Sequence, residues 1–76
     1  MKVHLSGHLS FYEPRRRSNF EITLAQPTPA AELVRAWGIP AGEVFLTVVN
    51  HAVVDLNVAI VADGDHLSLY PPIGGG

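Results

Sequence analysis

Cysteine is absent from the 76 residues, which removes disulfides, thiolate metal sites and cysteine nucleophiles together. Charge is also scarce, at 16% of the chain, with seven acidic against five basic residues and a formal net charge of −2. That balance gives no electrostatic footprint for a general nucleic-acid binder. No apolar run approaches the roughly 20 residues that a membrane-spanning helix needs. The start, Met1-Lys2-Val3-His4, lacks the apolar core of a secretory signal. The expectation is a soluble cytoplasmic protein with neither a nucleic-acid nor a membrane partner. A chain this short buries only about 60% of the surface its unfolded form exposes, and without a disulfide or zinc staple it must be held by packing alone. A hydrophobic content of 47%, dominated by Val, Leu, Ala and Ile, makes that feasible.

The order of elements follows from periodicity. Val3, Leu5, Leu9 and Phe11 share one parity against His4, Ser6, His8 and Ser10, which predicts a strand with one buried face. Gly7 falls on the apolar parity, where it marks a bulge or a close backbone approach. Glu13 to Asn19 is polar and contains Pro14, so it reads as a loop. Phe20, Ile22 and Leu24 then alternate with Glu21 and Thr23, and the two strands together predict a hairpin. Thr28 is placed as a helix cap and Pro29 as the first helical residue. Ala30, Leu33, Val34 and Trp37 recur on one helical face, and Gly38 followed by Pro40 ends the helix. Val44 to Val49 predicts a central strand buried on both faces. Asn50-His51 forms a turn, Val53-Val54 a short return strand, and Asp63-Gly64-Asp65 a tight turn. His66 to Tyr70 alternates as the last strand, which Pro71-Pro72 ends. One helix cannot cover both faces of the resulting sheet. The fold class is therefore α+β: a β-grasp (ubiquitin-like) roll with a mixed four- to five-stranded sheet and one main helix. The domain is expected to span 1–73, with a flexible glycine tail over 74–76.

Three of the seven glycines close the sequence, in Tyr70-Pro71-Pro72-Ile73-Gly74-Gly75-Gly76. Two prolines stiffen the exit from the sheet, and three glycines add no side chain to clash. Such an arm can thread a narrow tunnel and deliver its carboxylate to another protein's active site. A terminal carboxylate is anionic at neutral pH and can attack the α-phosphate of ATP to give an acyl adenylate, which then accepts a sulfur or amine nucleophile. A β-carbon beside the reacting carbonyl would crowd both steps.

Other residues invite less chemistry. His4 and His8 would share a strand face, with His66 nearby if the first and last strands pair. However, four residues along a strand span about 13 Å, so they read as solvated histidines rather than zinc ligands. Arg15-Arg16-Arg17 reads as a solvated loop tip, Trp37 as core, and Asp63 and Asp65 as turn formers. No nucleophile–base pair stands out. The chain is read as a substrate or small subunit of enzymes, with no bound cofactor and no metal.

Val48-Val49-Asn50, Asp63-Gly64-Asp65 and the tail from Tyr70 to Gly76 resemble the MoaD/ThiS sulfur carriers of the ubiquitin-like superfamily, along essentially the whole chain. The stretch Ala36-Trp37-Gly38-Ile39-Pro40, leading to Glu43-Val44, is similar to a ubiquitin-like module found beside some RNase domains. That module lacks the terminal diglycine. The carrier resemblance implies that Gly76 is adenylated by a ubiquitin-activating-type enzyme using ATP, then converted to a thiocarboxylate by a sulfur donor. Gly74 and Gly75 would thread the arm, and Tyr70, Pro71, Pro72 and Ile73 would contact partners, a synthase large subunit among them. The sulfur would pass to molybdopterin or thiamin biosynthesis. Gly74 is typical of the thiamin branch, Pro71-Pro72 of the molybdopterin branch. One departure is His51, where family members often carry glycine, leaving Asn50 to supply the left-handed residue. The alternatives are a ubiquitin-like modifier conjugated through Gly76 and a non-covalent β-grasp interaction module. The absence of cysteine is compatible with carboxyl-borne sulfur.

Overall fold

The computed structural model describes residues 1–72. Their elements are β1 (Lys2–Leu5), a 3₁₀ segment (Gly7–Tyr12), β2 (Asn19–Glu21), β3 (Thr28–Pro29), helix α1 (Ala30–Ala36), a 3₁₀ turn (Ala41–Glu43), β4 (Leu46–Val49), β5 (Ala52–Val54), β6 (Ile60–Val61) and β7 (His66–Tyr70). Five strands form one sheet in the order β2-β1-β7-β4-β5, and β3 pairs with β6 in a separate ribbon. The central pair, β1 and β7, is parallel with Val3 beside Leu67 and Leu5 beside Leu69. The neighbouring pairs are antiparallel. This is the β-grasp arrangement, α+β with a mixed five-stranded sheet. Leu5, Leu9, Leu67, Leu69, Val34 and Val61 are fully buried at its centre.

The first strand is shorter than alternation predicts. Gly7, at φ +57°, turns the chain into the 3₁₀ segment. Leu9 still reaches the core, whereas Phe11 is 69% exposed. The same turn corrects the histidine reading, because His4 lies on β1 and His8 in the 3₁₀ segment. Strands β1 and β2 still pair antiparallel, with Val3 opposite Phe20, as the hairpin reading requires, but a packed loop containing the 3₁₀ segment joins them. The second strand is short too: Ile22 and Leu24 lie beyond β2 and pack against the core from the loop.

The helix starts one residue later than expected. Thr28 and Pro29 pair with Val61 and Ile60, and the Thr28 hydroxyl donates to the Gln26 carbonyl instead of capping the helix. The Ala30 N–H donates to the carbonyl of Ala59, the residue just before β6, at 2.9 Å, which satisfies one of the helix's orphan donors. At the other end Gly38 adopts φ +79°. Its N–H bonds to the Arg35 carbonyl, and the Ile39 N–H to Val34, the paired bonds of a Schellman cap. Ala30 and Val34 are buried, with Leu33 and Trp37 packed beside them, as the helical stripe requires.

The run Val44–Val49 is not buried on both faces. Strand β4 lies between β7 and the edge strand β5, and one face of the sheet is open to solvent. Only Thr47 is fully withdrawn from water in β4. The centre of the sheet belongs to β1 and β7.

Strands β4 and β5 are joined by the two-residue turn Asn50-His51, with φ +50° and +70°. Two consecutive left-handed residues define the turn type that matches strand twist. Both residues supply the left-handed geometry, not Asn50 alone. Asn50 tolerates it and is further held in place: its Nδ2 donates to Asp65 Oδ1, and its Oδ1 accepts the His66 N–H, both at 2.9 Å. Exposed His51 has no such compensation. His51→Gly is expected to raise unfolding free energy by about 1 kcal/mol, the steric cost of that conformation, readable as a higher urea midpoint at constant m-value.

Candidate functional site

The chain leaves β7 after Tyr70. Two backbone bonds hold that exit from opposite sides. The Ser6 N–H donates to the Leu69 carbonyl at 2.9 Å, and the Phe45 N–H donates to the Tyr70 carbonyl at 2.8 Å. Each comes from a segment flanking β7 in the sheet, so the final residues of the strand are clamped by both neighbours. Beyond the clamp, Pro71 is half-buried and Pro72 exposed.

A groove of about 220 Å³ opens here, lined by Ser6, Phe45, Leu46, Tyr70, Pro71 and Pro72. Leu46 lies opposite Tyr70 in the register of β4 and β7. The Tyr70 ring meets the His4 ring edge-on, with centroids 6.1 Å apart. Phe45 is 66% exposed, an aromatic in solvent beside two prolines and a tyrosine. Aromatic side chains offer a large, rigid area that a docking protein can desolvate.

Of the residues expected to contact partners, Tyr70, Pro71 and Pro72 line this groove. Ile73, Gly74, Gly75 and Gly76 lie outside the described residues. Nothing in the sequence marks Ser6, Phe45 or Leu46 for this groove. Phe45 belongs to the apolar run that reads as a buried strand, but it precedes β4, which begins only after the 3₁₀ turn at Ala41–Glu43. The signal for that delay is Pro40-Ala41-Gly42, which sets up a turn after the helix cap.

The other candidates find structural work. Arg17 is not a solvated loop tip. Its guanidinium bonds to Glu13 at 2.7 and 3.3 Å and lies 4.4 Å over the Phe20 ring; Arg15 and Arg16 remain exposed. The Glu13 side chain is only 1% exposed and also accepts the N–H groups of Arg15 and Arg17 at 3.0 and 2.8 Å. The Arg17 hydrogen bond, reinforced by those amides, lowers the Glu13 pKa from its ordinary 4.5 to about 2. Asp63 accepts the Leu24 N–H at 3.1 Å, which holds its carboxyl below the usual range. Asp65, bonded by Asn50 and by the Ala62 N–H, is lowered likewise. These acids tie loops together, as turn formers do. His4 bonds to Asn19 at 2.9 Å, and His8 lies 3.5 Å from Glu43. Among the described residues no group of three His, Cys, Asp or Glu could hold a metal ion, and no helix is long and apolar enough to cross a membrane.

Comparison with known proteins places this geometry in context. The sequence profile described as the ThiS family matches residues 9–76. No curated protein sequence matches the chain. Among solved structures, a thiamine biosynthesis protein (ThiS) from Geobacter metallireducens superposes with a TM-score of 0.59 over 100% of both chains, at 20% identity. At that identity the likeness is one of fold.

Proposed function

The chain belongs to the ThiS family, and from that premise we propose that it is a small sulfur carrier of thiamin biosynthesis, acting through the carboxyl group of Gly76. The observation that carries the reading is the family match itself, which runs through Gly74-Gly75-Gly76 to residue 76. The clamped, aromatic exit from β7 supports it, since a carrier must present its tail in a defined direction. A ubiquitin-activating-type adenylating enzyme would bind the domain. The Gly76 carboxylate would then attack the α-phosphorus of ATP and release pyrophosphate. A hydrosulfide-equivalent donor would attack the acyl carbon and expel AMP, leaving a thiocarboxylate. The sulfur would next pass to the thiazole-forming machinery, a synthase subunit among the partners. In this scheme the carrier is a substrate of enzymes and holds no cofactor of its own; ATP belongs to the activating partner. Residues 74–76 serve as the threading arm of a domain spanning 1–73.

The test is exchange of labelled pyrophosphate into ATP by the host's adenylating enzyme. It should proceed only when the carrier is present, and exchange indifferent to the carrier would refute the reading. The same assay examines the groove. Phe45→Ser removes an exposed aromatic that contributes little to the core, so stability should shift by less than about 0.5 kcal/mol. Loss of one good interface anchor should raise the carrier's KM about tenfold with kcat unchanged.

A further inference from the structure

We propose that Gly7 is a positioning residue for the tail, because its missing side chain is what allows Pro71 to seat where it does. This rests on the carrier reading above, in which the direction of the chain at Pro72 matters to chemistry. A Cβ at position 7 would lie 2.9 Å from Pro71 Cγ and 3.6 Å from Cδ, whereas ordinary carbon contacts fall at about 3.5–4.0 Å. The proline ring is closed on its own backbone nitrogen, so beyond a change of pucker its Cγ can yield only if the Pro71 backbone moves with it. Pro71, and with it the exit of the chain, would have to move. Gly7 also holds φ +57°, a conformation glycine adopts without a steric cost. Its neighbour Ser6 makes one of the two backbone bonds that clamp β7, to Leu69, and Phe45 makes the other, to Tyr70. Turn, clamp and proline seat therefore form one unit, and the first turn of the chain aims its last described residues.

The direction of the tail is a quantity catalysis reads. A displacement of about 1 Å in a reacting group can cost on the order of a hundredfold in rate. Gly7→Ala should lower kcat for carrier-dependent pyrophosphate exchange about tenfold, with a smaller rise in KM because Pro71 is one of the groove's lining residues. Gly7→Asn, whose side chain tolerates a positive φ but still carries a Cβ, should behave alike. In the Pro71→Ala background, where Cγ is gone, adding Gly7→Ala should change kcat less than twofold. In the isolated chain, the Ser6 and Phe45 amides should exchange hydrogen about tenfold faster in Gly7→Ala, with Leu67 unaffected and the difference abolished by Pro71→Ala.

A Gly7→Ala variant with unchanged kcat and unchanged amide exchange would overturn the assignment. So would a normal Gly7→Asn, which would mean backbone strain alone. An equal loss in the Pro71→Ala background, or unfolding of both Gly7→Ala and the double variant, would also contradict it; unfolding of the single variant alone would support it. If the unaltered chain supports no pyrophosphate exchange, the carrier reading fails, and the amide-exchange cycle alone decides whether Gly7 seats Pro71.

Discussion

Removal of Gly76 is expected to reduce carrier-dependent pyrophosphate exchange to background while leaving the domain as stable as before. The two halves of that expectation have separate causes. Every buried apolar residue among the described ones precedes Tyr70, so loss of the last residue should not change the thermal midpoint. Reach is another matter. The clamp at Leu69 and Tyr70 and the seat of Pro71 against Gly7 fix where the arm begins. Shortening it by one residue withdraws the carboxyl by up to about 3.3–3.6 Å. A misplacement of about 1 Å at a reacting group already costs on the order of a hundredfold. Gly76→Ala is the companion variant. It keeps the reach but adds a β-carbon that crowds the reacting carbonyl, so its exchange should fall below normal and stay above that of the truncated chain. A truncated chain with normal exchange would remove Gly76 from the mechanism.

The second large effect concerns stability and falls far from the tail. Glu13 is the buried carboxylate that organises the β1–β2 connection. It accepts two backbone N–H groups and a two-point contact from Arg17, and Arg17 in turn covers Phe20. Phe20 meets Trp37 edge-on at 5.4 Å, so the network links the loop to the end of helix α1. Glu13→Ala would leave several donors without an acceptor, an outcome costlier than never burying them. The thermal midpoint should fall by more than about 5 °C.

The same network makes a pH signature. The Glu13 pKa is depressed from 4.5 to about 2 in the folded chain, so folding favours the ionised form. That contribution is complete above about pH 4.5 and is lost as pH falls toward 2. Stability measured across that window should decline steeply, and Glu13→Gln should flatten the decline. A residual slope is expected from Asp63 and Asp65, both lowered in the same direction. An unchanged pH profile in Glu13→Gln would contradict the role given to this carboxylate.

Glu13 also illustrates where the sequence stops being legible. It sits in the polar run Glu13 to Asn19, and a polar run reads as a solvated loop because composition averages over residues. Burial of one acid there depends on Arg17 folding back and on the 3₁₀ segment delivering Glu13 inward, both tertiary facts. The 3₁₀ segment itself was hidden by parity: Leu9 is buried as alternation requires, yet it gets there by a turn at Gly7 and not by a continuing strand. The helix was readable because its signals are local. Ala30, Leu33, Val34 and Trp37 mark one face, and Gly38 closes it in the left-handed region. Strand β7 was readable for the same reason, with Leu67 and Leu69 alternating against exposed or half-buried neighbours. The root of the tail was half legible. Tyr70, Pro71 and Pro72 announce themselves by position, while Phe45 and Gly7 join them only through sheet pairing across more than twenty intervening residues.

The central claim is that the Gly76 carboxyl group carries sulfur. The direct measurement is the intact mass of the chain after incubation with ATP, the host's adenylating enzyme and a sulfur donor. The account predicts a gain equal to one oxygen replaced by one sulfur, confined to the C-terminal fragment and absent without ATP. An unchanged mass in a mixture that supports pyrophosphate exchange, or Gly76 found instead in isopeptide linkage to lysines of other proteins, would contradict it.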